Sequence, residues 1–196
     1  EMQVCRSRPF IDWAGPIMTE AFSGTGPAWE TENLHRLYTQ VKPDFIRVDA
    51  DEVTYPAHVI LRYRLEKALL SGDMSLDDLP GAWNDGLKAL LGIVPASDRE
   101  GCLQDVHWYD GAWGYFPTYT LGAMTAAQLF ASAKEADVDI EVGITKGNFH
   151  PLMAWLGENV HGKGRLMSAS ELLTQATGRP LDTDVFKNHL KNRYLA

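Results

Sequence analysis

Thr54-Tyr55-Pro56-Ala57-His58-Val59-Ile60-Leu61-Arg62-Tyr63-Arg64-Leu65-Glu66-Lys67-Ala68-Leu69-Leu70-Ser71-Gly72 carries a wide apolar stripe at Val59, Ile60, Leu61, Tyr63, Leu65, Ala68 and Leu69. The repeat has the period of a helix rather than a strand. Pro56 suits a first turn, where its missing N–H has no intrahelical partner to lose, and Gly72 supplies a stop. Asp51 and Glu52 stand just ahead, where the helix macrodipole favours negative charge. His58, Arg62 and Glu66 fall four apart and so share one face. Arg62 admits two readings: a surface cation paired with Glu66, or a partly buried guanidinium that reads a carboxylate through two parallel hydrogen bonds.

The same period extends in both directions. Residues 31 to 41 place Leu34, Leu37, Tyr38 and Val41 on one face, and Pro43 ends that run. Ser75 with Asp78 resembles a capping box, and Ser97 with Glu100 and Ser168 with Glu171 fit the pattern directly, marking helix starts. Thr118 to Ala136 reads as another helix, Pro151 opens one carrying Leu152, Trp155 and Leu156, and a last one runs from about Asp184 to Tyr194. Thr177-Gly178-Arg179-Pro180 is a stop of the Gly-then-Pro kind. Val138 to Thr145 alternates apolar with polar residues and admits a short strand or an irregular link. The expected fold is all-α, with at most a short β segment near 138–145. No repeat, low-complexity tract or flexible linker interrupts the sequence, so residues 1–196 read as a single helical unit.

With 196 residues, 45% of them hydrophobic, the chain can build a sizeable core. A formal net charge of -8 without any Lys/Arg run argues against nucleic-acid binding. Cys5 and Cys102 are far apart and fit neither a disulfide scaffold nor a cysteine zinc knuckle, which suits a reducing, cytoplasmic setting. No apolar run is long enough to span a bilayer, so no membrane partner is expected.

Chemistry concentrates in Gly101-Cys102-Leu103-Gln104-Asp105-Val106-His107-Trp108 and in Gly114-Tyr115-Phe116-Pro117-Thr118-Tyr119-Thr120-Leu121-Gly122. So many polar groups among apolar ones read as the wall of a site, because each buried polar group needs a partner. Tyr115 and Tyr119 lie four apart and can face one cavity, where a phenol, or His107, can donate to an oxyanion. Gln104 and Asp105 are placed to orient the imidazole and the main chain, while Trp108 reads as core or pocket wall. No His-x-x-x-His pair occurs among the six histidines, and His is never followed by Glu, so the sequence offers no recognisable zinc-ligand set.

Taken in order, these blocks resemble the carboxypeptidase Taq family of zinc metallocarboxypeptidases. The resemblance rests on Asp51-Glu52-Val53-Thr54-Tyr55-Pro56 with His58 and Ile60-Leu61-Arg62, on Gln104-Asp105-x-His107-Trp108, and on Gly114-Tyr115-Phe116-Pro117-Thr118-Tyr119. Trp155-Leu156 through His161 and Ala176-Thr177-Gly178-Arg179-Pro180-Leu181 come next, and Arg6-Ser7-Arg8 with Phe10 resembles the segment after the family's metal site. The resemblance implies a helical, cytosolic, homodimeric enzyme that removes C-terminal residues from peptides with a free C-terminus, using zinc. The His-Glu-x-x-His helix is absent, so the chain is expected to be a C-terminal portion without metal ligands and inactive alone. His107, Tyr115 and Tyr119 are the expected catalytic residues, with His58, Arg62, Gln104, Asp105 and Trp108 on the substrate side. Arg64, Arg6 and Arg8 compete with Arg62 as readers of the terminal carboxylate. A non-catalytic helical peptide-binding module derived from the family is the alternative.

Overall fold

The computed structural model describes residues 2–195, and among these it contains helices and turns but no strand. The α-helices are α1 (Met2–Cys5), α2 (Arg8–Ala21), α3 (Thr31–Tyr38), α4 (Tyr55–Ser71), α5 (Leu79–Leu91), α6 (Thr118–Ala136), α7 (Asp139–Ile144), α8 (His150–Asn159), α9 (Ala169–Thr177) and α10 (Thr183–Tyr194). Short 3₁₀ turns at Arg47–Asp49, Cys102–Gln104 and Val106–Trp108 carry polar side chains toward α4. The described chain divides into two compact units, Val41–Gly122 and the segments on either side of it. The divisions fall after Gln40 and inside α6, where the sequence carries no linker signal.

In the Val41–Gly122 unit, α4 and α5 pack around Leu61, Leu65, Leu79, Trp83, Leu87 and Cys102. Burying side chains of this size contributes about 1.5–3 kcal/mol each. A Cβ at Gly86 would overlap the side chain of Leu61, so glycine sets how closely α5 approaches α4. α4 begins with Pro56 in its first turn and stops at Gly72. Its polar face is also buried: His58, Arg62 and Glu66 are withdrawn from water along with Val59, Leu61 and Leu65. Buried charges need partners, and finding those of Arg62 and Glu66 locates the site.

The other unit centres on Ala133, Ile140 and Ile144, with Val4, Phe10, Phe130, Phe149, Leu152 and Trp155 packed against them. Gln128, fully buried, donates to Thr177 Oγ1 and to the carbonyls of Arg179 and Pro180, and accepts from the Asp182 N–H. It fixes the turn between α9 and α10. Ser168 and Glu171 form a reciprocal capping box at the start of α9.

Several local expectations need correction. Within residues 138–145 the backbone forms the helix α7 (Asp139–Ile144): Ile140 and Ile144, four apart, are buried, whereas Val138 and Val142 face solvent. The alternating pattern contains an i, i+4 pair, and the Asp137 carboxylate starts the turn by accepting the Asp139 N–H. Ser97 and Glu100 lie in a turn where Gly101 N–H bonds the Ser97 and Asp98 carbonyls, and only the short 3₁₀ turn at Cys102–Gln104 follows rather than an α-helix. α3 ends at Tyr38; Leu34 is buried while Leu37 and Val41 are exposed. Between α1 and α2, the Ser7 hydroxyl caps the start of α2.

Candidate active site

The buried face of α4 meets its partners in the loop after α5. Asp105 is 0% exposed, yet four groups converge on its carboxylate. The His107 ring reaches Oδ1 through Nδ1 at 2.6 Å, and the His107 backbone N–H donates to the same oxygen at 3.1 Å. Arg47 Nη2 also donates to Oδ1, at 3.2 Å, and Arg62 Nε donates to Oδ2 at 2.5 Å. Burial alone would raise this carboxyl, but the bonds from the His107 ring and backbone and from Arg62 outweigh it and hold it below its ordinary value.

An ionised carboxylate only accepts, so His107 must carry a proton on Nδ1. In the neutral ring Nε2 is then an acceptor, and it lies 3.3 Å from the Tyr119 hydroxyl. Burial, then the adjacent Tyr115, pushes the Tyr119 phenol up, keeping it a donor. Tyr115 stacks on the His107 ring at 5.6 Å between centroids and meets Tyr119 edge-on. Phe116, buried, closes the floor beneath His107. Tyr115 and Tyr119 are 52% and 39% exposed, so the cluster is rooted in the interior and opens at its tyrosines.

Arg62 lies wholly inside. Its Nε is taken by Asp105, its Nη1 by Glu66, and the guanidinium lies 3.1 Å from the centroid of the Trp108 ring. Buried to this extent, it is paired with internal carboxylates and presents no exposed face. The short spacing to Glu66 is legible in the sequence; that a remote loop supplies Asp105 and the Trp108 face is not. Trp108 is itself fixed by donation from Nε1 to the Cys102 carbonyl. Gln104 clamps two segments together, accepting from Arg47 N–H and donating to the Phe45 and Glu100 carbonyls. His58 stands apart: it is buried, and neither ring nitrogen has a hydrogen-bond partner. Burial pushes its pKa down, with the Asp44 backbone pulling the other way.

One contributor, and the second partner of another, carry no signal in the sequence. Arg47 lies in a short 3₁₀ turn where no periodicity marks it, yet it pairs with Asp105 and lies over the Phe116 ring at 4.7 Å. Its Nε is buried without a partner. Glu66 reaches past Arg62 and accepts the backbone N–H of Gly114. Two guanidinium groups and two carboxylates thus neutralise one another around a histidine and two phenols. Such a cluster can hold an imidazole in one tautomer and aim hydroxyl donors at a carbonyl oxygen.

Residues 1–194 match the family model described as Carboxypeptidase Taq (M32) metallopeptidase. The chain belongs to the carboxypeptidase Taq family. Among curated relatives, it is 40% identical over 190 residues to thermostable carboxypeptidase 1 of Pyrococcus furiosus, covering 97% of this chain and 38% of that protein. It is 45% identical over 163 residues to carboxypeptidase 1 of Bacillus subtilis, covering 83% and 32%. The solved structure of Trypanosoma cruzi metallocarboxypeptidase 1 superposes with a TM-score of 0.96 at 41% identity, covering 100% of this chain and 41% of that one. The chain therefore spans about two fifths of the length of these relatives or less. The family implies a divalent metal and a peptide substrate. Among the described residues, no group of three or more His, Cys, Asp or Glu is placed to hold a metal ion. No helix among them is long and apolar enough to cross a membrane.

Proposed function

We propose that this chain is the C-terminal portion of a metallocarboxypeptidase and supplies the residues that grip the reacting carbonyl of a peptide's last bond. The observation that carries this reading is the tautomer lock: buried Asp105 holds Nδ1 of His107 while Nε2 faces the Tyr119 hydroxyl at the open edge of the cluster. With substrate bound, the Tyr119 hydroxyl turns its single hydrogen from Nε2 of His107 to the peptide carbonyl oxygen, with Tyr115 beside it. As negative charge develops on that oxygen, these donors bind it more strongly than they bound the neutral carbonyl, which is what lowers a barrier. Arg47, whose side chain is 13% exposed where that of Arg62 is 1%, is the guanidinium that meets the free C-terminal carboxylate. Arg62, Gln104 and Trp108 hold this machinery without touching substrate. Zinc is the metal in this reading, with its ligands outside this chain, and the whole enzyme is a cytoplasmic homodimer.

The test compares this chain with an enzyme of family length that contains it, both supplied with zinc or cobalt and a peptide with a free C-terminus. The longer protein should release the terminal residue in a chelator-sensitive way, and the isolated chain should not. Arg47→Leu in the longer protein should abolish its preference for a free acid over the matching C-terminal amide. Robust, chelator-sensitive turnover by the isolated chain would overturn the division of labour, and equal cutting of amidated and free peptides by the native enzyme would remove the role of Arg47.

A further inference from the structure

The loop that carries Trp113, Gly114 and Tyr115 is exposed, yet Tyr115 is held stacked on His107. Its C-terminal end is anchored, the Tyr115 carbonyl accepting from the Thr118 N–H at 3.0 Å and the Thr118 hydroxyl at 2.6 Å, while on the N-terminal side Ala112 N–H bonds the His107 carbonyl at 3.1 Å and Tyr115 N–H the Ala112 carbonyl at 3.4 Å. A further tie comes from beneath. Gly114 adopts a φ of 77°, a left-handed conformation that favours glycine, and this directs its N–H to the Glu66 carboxylate. Glu66 is 4% exposed and projects from the buried face of α4. Its two oxygens divide the work, Oε1 accepting Gly114 and Oε2 accepting Arg62 Nη1.

We infer that Glu66 is a positioning residue that sets both sides of the His107 ring with one carboxylate. Through Arg62 it holds the guanidinium whose Nε grips Asp105, and Asp105 fixes the His107 Nδ1 edge. Through Gly114 it holds the loop that lays Tyr115 on the ring face. The inference rests on the proposed role of His107, but the geometry it predicts is measurable without turnover. A carboxylate is required because two donors approach two different oxygens; an amide has only one acceptor atom to offer.

The experiment is NMR of this chain with labelled histidine, reading the carbon-bound ring protons of His107. Tyr115→Leu, which removes the stacked ring, gives the value without its ring current. Glu66→Ala should move the His107 protons most of the way toward that value. Glu66→Gln should move them part of the way, since its single oxygen must release either Arg62 or Gly114; this variant decides the matter if the alanine variant does not fold. Leu87→Ala, a core change in the same unit, should lower thermal stability while leaving the His107 shifts at native values. Native shifts in a folded Glu66→Gln or Glu66→Ala protein, or equal movement in Leu87→Ala, would reduce Glu66 to a structural residue and overturn the inference. Failure of the parent reading would look different: the expected ring-shift changes in these variants, together with full turnover of a family-length enzyme lacking the His107 imidazole.

Discussion

Replacing Asp105 by Asn keeps the shape of the side chain and removes the charge at the centre of the cluster. Asp105 accepts from the His107 ring and backbone, from Arg47 and from Arg62, and both it and Arg62 are 0% exposed. An Asn accepts at one oxygen only and turns an NH₂ group toward donors, so a buried guanidinium loses half of its neutralisation. Breaking a buried pair from one side costs about 3–5 kcal/mol. For a chain of this size, a melting temperature moves by about 2–4 °C per kcal/mol, so a fall of about 6–20 °C is expected. That is a large share of the roughly 5–15 kcal/mol that holds a typical domain together. The His107 ring should respond as well, because the amide can donate to Nδ1 and so favour the tautomer with its proton on Nε2. Thermal unfolding by circular dichroism gives the first quantity, and ring ¹⁵N shifts of His107 give the second. A fall of under about 2 °C with unchanged ring nitrogens would refute the claim that an ionised Asp105 both compensates Arg62 and locks His107.

Two other buried groups give measurable outcomes. His58 is held neutral by burial, so its folded pKa lies below the ordinary 6.5. The unfolded chain takes up a proton first, and stability should decline as pH falls below about 6.5 and level off once the folded protein also protonates. Asp105 shifts downward too, and its contribution should be lost at lower pH, below the ordinary 3.8. His58→Leu should flatten the upper limb of a denaturant-midpoint profile and leave the acid limb; an unchanged upper limb would show that another group titrates there. In the other unit, Gln128→Leu removes the partners of the Asp182 N–H and the Pro180 carbonyl, while the Arg179 carbonyl keeps the Thr177 hydroxyl, and should cost about 1–2 kcal/mol in urea unfolding. A cost under about 0.5 kcal/mol would show that the turn between α9 and α10 satisfies itself.

The helices are readable where periodicity and punctuation agree, as in α4 with Pro56 and Gly72 and in α9 with its Ser168 capping box. They are misread where a short pattern serves two periods, as at 138–145, and where a capping signature stands in a turn, as at Ser97. The site is legible as a set of residue types: Asp105 beside His107, and Tyr115 one turn from Tyr119. What the sequence conceals is which charges meet. Arg62 and Asp105 are 43 residues apart, and neither spacing nor composition says that a helix face and a distant loop will be buried against each other. Arg47 carries no signal because irregular backbone has no period, and Glu66 looks like a simple i+4 partner because its second oxygen bonds a main-chain N–H.

If the tyrosine edge of this cluster binds the reacting carbonyl as charge builds on it, the Tyr119 hydroxyl is the group whose loss should be felt in turnover. Steady-state kinetics of Tyr119→Phe in a family-length enzyme containing this chain, with a peptide bearing a free C-terminus, measures that directly. Removing one donor used in the transition state should lower kcat by about 10²-fold and leave KM within about twofold. A kcat within about twofold of native, or a loss confined to KM, would contradict a role for Tyr119 in the transition state.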